Sequence, residues 1–514
     1  MTMQIVWYKR DLRIHDHAPL TEAAARGPVL PLYIIEPSII GAPDFAPLHW
    51  SFIREGLVEL REALARLGQP LIVRIGEAAE VLQGLTTLLP IAAIWAHEET
   101  SNLLGYARDR AVRRWARASG LPFHELPQNG VIRRLSDRDH WDALWEERMA
   151  QPLALAPATL RPISPALTPG NIPTHAELGL AEDTRSERQP GGEAQAHATL
   201  DDFLIRRGEH YNKALSSPLS AWEGCSRISP HVTWGTLSIR QAVRACRARV
   251  AALQARDLLG YEQGWLRALA AFESRLHWHC HFIQKLEDQP SLEEQNFVRA
   301  YDGMRPEQPA DEKLAAWAAG ATGYPFVDAC MRAVTATGWL NFRMRAMVVS
   351  FTCFDLWQHW RAPAAILARA WVDYEPGIHY CQLQMQSGTS GNKTLRIYNP
   401  TKQAQDHDPQ GIFIRRWLPE LAGVPESFIH APWLMPRTMQ QKVGCLIGRA
   451  YPAPIVDHEQ AQRRARAAIA AVRARLATSE EIAAVYQRHG SRRLPPQRRR
   501  APKMHPGQLS LDFE

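Results

Sequence analysis

Apolar and polar positions change rhythm twice along this chain. In the first 150 residues, short β-rich runs ("MQIVWY", "PVLPLYII", "QPLIVRI", "PIAAIWA") alternate with stretches at 47–67 and 102–118 whose apolar residues recur at spacings of three and four. The first kind predicts buried strands and the second amphipathic helices. Alternating βα units predict a parallel sheet with helices packed on it. Residues 151–173, "QPLALAPATLRPISPALTPGNIP", hold six prolines and are followed by "RSERQPGGEAQ". Proline at that density suits an extended connection over the surface, placed here at 151–199. From about residue 200 the pattern is helical, interrupted at "SSPLSAWEG", "ATGYP" and "YNPTKQAQDHDPQG". The expected organisation is therefore an α/β domain (1–150), a linker (151–199), a larger all-α domain (200–480) and a C-terminal tail (481–514).

One helix stands out. Between Trp265 and Leu286, the residues Trp265, Leu269, Phe272, Leu276, Ile283 and Leu286 form a stripe at helical spacing. Arg275, Trp278 and Phe282 share a neighbouring face. The stretch "FESRLHWHCHFIQK" also holds three histidines. On a strand His277, His279 and His281 would converge on one side, but on a helix only His277 and His281 stand one turn apart. A metal ion would need a third ligand from elsewhere, so a wall lining a pocket is the expected role, with no metal.

Cysteine and charge narrow the setting. Seven cysteines, with no C-x-x-C spacing, give neither a disulfide framework nor a thiolate cluster and fit a reducing cytoplasm. No run of eighteen apolar residues is present and the N-terminus lacks the apolar core of a signal peptide, so a soluble chain without membrane contact is expected. The net charge of +7 is concentrated late: residues 457–503 carry twelve Lys/Arg against four Asp/Glu. Such a segment suits an electrostatic handle for a polyanion, and equally a solvated tail.

Four segments, in order, resemble the photolyase/cryptochrome flavoproteins. These are "IVWYKRDLRIHDHAPL", "CSRISPHVTWGTLSIRQ", "GYPFVDACMRAVTATGWLNFRMRAM" and "LRIYNPTKQAQDHDPQGIFIRRWLPEL". The resemblance runs from residue 3 to about 421. It implies an α/β domain that can carry an antenna chromophore of folate or deazaflavin type, and a helical domain that buries FAD. By the same resemblance FAD is held by Tyr211, Cys225, Ser226, Arg227, Ile228, Ser229, Arg345, Asp373, Glu375 and His379, with Tyr380 the alternative to His379 opposite the flavin ring. A Ser-rich helix start suits a diphosphate on general grounds, since hydroxyls, free N–H groups and a cation converge there.

The activity implied is light-driven repair of UV-damaged DNA, in which photoexcited reduced flavin lends an electron to a flipped-out pyrimidine dimer. The resemblance places Trp278 along the dimer, with Arg275, His279, Phe282, Asn341, Phe342 and Gln403 around it. Relatives that act on (6-4) photoproducts carry a histidine pair after "GW"; here Trp339, Leu340, Asn341, Phe342 and Arg343 stand in that stretch, which favours cyclobutane dimers. Other positions depart from the family. Arg275 replaces a lesion-binding glutamate, Phe342 an asparagine, and Met385 the second tryptophan of the lesion clamp. Of the tryptophan relay that photoreduces flavin, Trp360 matches the middle member, whereas Leu383 and Glu307 occupy the other two positions. A blue-light photoreceptor of the cryptochrome kind is the main alternative, and a light-independent flavin or nucleotide binder a third.

The sequence ends "HPGQLSLDFE". Gln508, Leu509, Leu511 and Phe513 resemble the short peptide by which bacterial replication and repair proteins dock into the sliding clamp, here at the end of a basic tether. A fold-back plug is the other way to use the same residues. A monomer is expected otherwise.

Overall fold

The computed structural model describes residues 2–163, 165–256, 263–391 and 395–491. Five strands form one parallel sheet: β1 (Met3–Tyr8), β2 (Val29–Ile35), β3 (Ile72–Ile75), β4 (Ile91–His97) and β5 (Phe123–Leu126), in the order β3-β2-β1-β4-β5. β1 lies at the centre and every one of its residues is buried, as a strand covered by helices on both faces must be. The two expected helices run Pro47–Arg66 and Leu103–Ala118. Chain order reverses at β1, between β2 and β4, so the loop leaving β1 opens at the topological switch point where α/β sheets bind ligands.

The proline-rich connection follows the sheet domain closely. The Leu160 N–H donates to Leu67 O (2.6 Å), the Val73 N–H to Pro169 O (2.7 Å) and Trp50 Nε1 to Pro173 O (3.2 Å). Pairing Pro169 with Val73 also covers the edge of β3, an exposed row of backbone donors otherwise. The connection ends in helix Glu193–Asp202, which straddles the expected boundary at 199.

The remainder is helical. Its longest element, Gln263–Asp288, buries the whole stripe foreseen from sequence: Trp265, Leu269, Phe272, Leu276, Ile283 and Leu286 are each at most 9% exposed. Burial of side chains of this size contributes about 1.5–3 kcal/mol apiece. Near the C-terminus, the expected tail start at 481 falls inside a packed helix, Leu476–His489. Glu481 accepts hydrogen bonds from the backbone N–H groups of Arg299 and Ala300, and His489 meets Gln289 Oε1 at 2.9 Å. These contacts hold the chain against the body as far as His489. Gln508, Leu509, Leu511 and Phe513 lie outside the described residues.

Candidate functional site

The site is assembled where three backbone segments meet. The first is Cys225–Ser229. Arg227 sits at φ 61°, the left-handed region, and Ile228 follows at φ −85°, ψ −6°. Successive residues of opposite hand turn their N–H groups toward one concave point, an anion nest. Arg207 holds the far side by donating to the carbonyls of Cys225 and Ser226. Helix Ser229–Thr233 begins with no side-chain cap, and among the described contacts no hydrogen bond engages the hydroxyl of Ser226 or Ser229. The Arg227 guanidinium is clasped between Trp222 and Trp339, 3.8 and 3.9 Å from the ring centroids. Burial lowers its pKa to about 9, and its Nη1 is buried without a hydrogen-bond acceptor. This is a nest, a helix start and a cation with an unmet donor, all of which suit a diphosphate.

The second segment is Val372–Tyr380. Arg345 donates two parallel hydrogen bonds to Asp373, both 2.9 Å, while its Nε reaches Leu340 O (2.7 Å) and its guanidinium lies 4.3 Å from the Trp371 ring centroid. Glu375 is buried, and burial raises its pKa, opposed by Arg10. Its Oε2 takes a 2.8 Å bond from Arg10 Nη2, but Oε1 is buried with no partner. His379 donates from Nε2 to Ala364 O (2.9 Å), and burial lowers its pKa to about 4, so Nδ1 stays an acceptor in a neutral ring. Its ring packs against Tyr374 and Tyr380. The helix that follows, Pro376–Ser387, lies so close to Gln263–Asp288 that a Cβ on Gly377 would stand 2.6 Å from Ile283 Cα; only glycine permits that approach.

The third segment comes from the sheet domain. Arg10, in the loop leaving β1, donates to Thr233 O (3.1 Å), Tyr374 O (3.2 Å) and Glu375. Gly235, at φ +70°, makes the dock: a Cβ there would meet Arg10 O at 2.1 Å. Sequence reasoning missed Arg10. Its one signal was position, a cation immediately beyond the central strand of a parallel sheet.

The long helix supplies the wall. Trp278 is half-buried, its ring 5.6 Å from Phe282 and 4.8 Å from His281. Met385, from Pro376–Ser387, packs into the same apolar cluster, together with Met304, Trp357 and Ile397. One turn before Trp278, the exposed Arg275 lies 5.6 Å from the ring centroid of Phe342, itself 45% exposed. No carboxylate pairs with Arg275 among the described residues. Tyr211 packs behind, against Phe203 and Phe272.

Three expected contacts are placed differently. His279 does not join Trp278, because one residue turns a helix by about 100°; it lines a small cavity with Arg10, Ile283 and Glu375, its Nε2 unpartnered and its pKa lowered by burial to about 4. Asn341 is 2% exposed and donates its amide N–H to Leu215 O (3.0 Å), which ties down the turn. Phe282 is buried behind Trp278, under Lys285 Nζ at 5.1 Å from its centroid. Gln403, on helix Pro400–His407, keeps a buried, unpartnered Oε1. Trp360 is wholly buried, bonded through Nε1 to Asn296 Oδ1 (2.7 Å) and 6.3 Å from Tyr380; Leu383 is core, and Glu307 is an exposed partner of Arg361. His277 and His281 are spent on Asp142 and Arg138.

These residues fit FAD on the structure's own terms. The buried Glu375 Oε1 lacks a donor, and the buried Arg227 Nη1, on the residue that forms the anion nest, lacks an acceptor. Each is a buried polar atom of the kind that native structures leave only for a ligand, water or function.

The comparisons agree with the geometry. Residues 4–136 match the family described as DNA photolyase, and residues 272–471 the FAD binding domain of DNA photolyase. Cryptochrome DASH of Gloeobacter violaceus is 31% identical over 490 residues, covering 88% of this chain and 93% of that protein. The deoxyribodipyrimidine photo-lyase of Vibrio cholerae is 31% identical over 482 residues, covering 89% and 97%. Among solved structures, a bacterial class III photolyase from Agrobacterium tumefaciens superposes with a TM-score of 0.80 at 26% identity, over 92% of this chain and 98% of that one.

Proposed function

The chain belongs to the photolyase/cryptochrome family, and from that premise we propose that it splits cyclobutane pyrimidine dimers in UV-damaged DNA by light-driven electron transfer. The reading is carried by Trp278, half-buried in one apolar cluster with Met385 and on the same helix as the exposed Arg275, which meets the Phe342 ring. FAD, when bound and fully reduced, supplies the photoexcited electron and takes it back.

The protein's own residues do the rest. Arg227 and the nest at Cys225–Ser229 hold the diphosphate, and Glu375 Oε1 accepts from an N–H or hydroxyl of the cofactor. Trp278 offers an indole face for a base extruded from the stack, and a damaged step is the cheapest to extrude. Arg275, donor-only, reaches the pyrimidine carbonyls or a phosphate. The apolar cluster behind Trp278 keeps water from the reacting ring. No histidine stands from Trp339 to Arg343, so acid–base chemistry on a (6-4) lesion is unsupported there. An antenna chromophore of folate or deazaflavin type would occupy the opening at the C-terminal edge of β1, β2 and β4, lined by Tyr33, Glu36, Phe45, Trp50, Asn102 and Arg108.

The test is direct. Protein whose flavin is chemically reduced is mixed with irradiated oligothymidylate under blue light, and dimer loss is followed. Light-dependent loss is expected. Flavin photochemistry without dimer loss would instead support the photoreceptor alternative, cryptochrome DASH being among the similar proteins.

We further propose that Gln508, Leu509, Leu511 and Phe513 dock the enzyme onto the bacterial sliding clamp. Deleting residues 508–513 is expected to abolish clamp association on a sensor surface and leave repair turnover unchanged. Undiminished association in the deletion variant ends the proposal.

A further inference from the structure

We propose that His15, Glu193 and His197 bind a divalent transition-metal ion of the Zn2+ class at the seam between the sheet domain and the helical half. Glu193 and His197 stand one turn apart at the start of helix Glu193–Asp202, so their side chains leave the same face. His15 approaches from the other domain, on the loop after β1. Its Nδ1 lies 2.9 Å from Glu193 Oε1, and His197 Nε2 lies 3.9 Å from the same oxygen. All three donor atoms fall within 4.8 Å of one another.

The carboxylate is fixed before any ion arrives. It is 8% exposed, Oε2 accepts from the Ile14 N–H (2.9 Å), and Oε1 accepts from the His15 N–H (3.1 Å). The two imidazoles are partly exposed, at 58% and 40% of their side chains, and His197 Nε2 also lies 3.5 Å from Gln241 Nε2. Bonds of about 2.0–2.2 Å in a tetrahedral shell set ligand atoms roughly 3.3 Å apart. Zn2+ therefore enters by replacing the imidazole proton on His15 Nδ1, with His197 Nε2 drawn in from its 3.9 Å spacing to Glu193 Oε1. Two imidazole nitrogens and one carboxylate select Zn2+, Co2+, Ni2+ or Cu2+ over Mg2+ and Ca2+, and the remaining position is open to water.

The buried cluster Asp11–His17–His97 is tighter but already satisfied. His17 Nδ1 accepts from the Leu20 N–H, and both rings meet Asp11 Oδ2, at 2.9 and 2.7 Å. At the seam, an ion would add a cross-link beside the Arg240–Asp16 pair (2.6 Å) and the Arg13 bond to Gly235 O (3.0 Å), which already join the two halves.

Calorimetric titration of untagged, FAD-containing protein with Zn2+ tests this. One ion per chain is expected, released by EDTA, with a rise in Tm on loading. His15→Ala and His197→Ala are each expected to weaken binding by about tenfold or more, equivalent to ~1.4 kcal/mol, while FAD content and dimer repair are unchanged. Failure to bind Zn2+ stoichiometrically, or wild-type affinity in the double variant, overturns the assignment.

Discussion

Asp373→Ala is expected to yield a colourless protein of markedly reduced stability. Asp373 is 5% exposed in its side chain and answers both Nη groups of Arg345 at 2.9 Å. Removing it leaves the Arg345 guanidinium without its anion, in a region where Arg227 adds a second buried positive charge. Breaking one side of a buried pair costs about 3–5 kcal/mol, a large share of the ~5–15 kcal/mol that holds an ordinary domain together. The same change removes the carboxylate that fixes the Arg345 guanidinium in place. Arg345→Lys is expected to be milder. It keeps the charge and loses the bidentate fork and the stacking on Trp371, and Arg345 is already 25% exposed in its side chain. The readouts are flavin absorbance relative to protein and the urea midpoint. A yellow Asp373→Ala protein with an unchanged midpoint would remove the ion pair from the cofactor site.

What the sequence displayed and what it hid have physical causes. Strands β1 to β4 are dense in Val, Ile and Leu and are legible as such, but β5 is "FHEL", whose His124 stacks on Trp95 and whose Glu125 pairs with Arg113 and Arg133, contacts that give no strand signal in the sequence. The Gln263–Asp288 stripe was legible because burial follows the helical period. Arg10 was not, because its value lies in a contact with Glu375, 365 residues away, that depends on Gly235 accepting the loop after β1. The nest at Arg227 was hidden for a different reason: a positive φ at a non-glycine residue is imposed by its surroundings, here Trp222, Trp339 and the Gln189 bond to its carbonyl. His279 follows Trp278 directly in sequence, but the helical turn of about 100° between neighbours carries it to the cavity with Arg10 and Glu375. The tail boundary failed because basic charge outweighed good helix formers, "EEIAAVYQR", that pack against the body.

Trp278→Ala is expected to abolish most repair while FAD stays bound. Trp278 lies outside the residues that hold the cofactor, half-buried over Phe282 with Met385 in the same cluster. The usual second clamp residue is a methionine here, so one indole carries most of the stacking. Loss of base stacking costs about 1–3 kcal/mol per base, which corresponds to roughly 5- to 150-fold weaker binding of dimer-containing DNA. Because the substrate is held extruded only while that face is occupied, turnover under saturating light is expected to fall as well. Trp278→Phe, which keeps a smaller aromatic face, is expected to recover part of both. Binding is measured by titration of a dimer-containing oligonucleotide against an undamaged control, and repair by single-turnover illumination. If Trp278→Ala binds and repairs as the parent does, the lesion is held elsewhere and Arg275 and Phe342 lose their proposed neighbours.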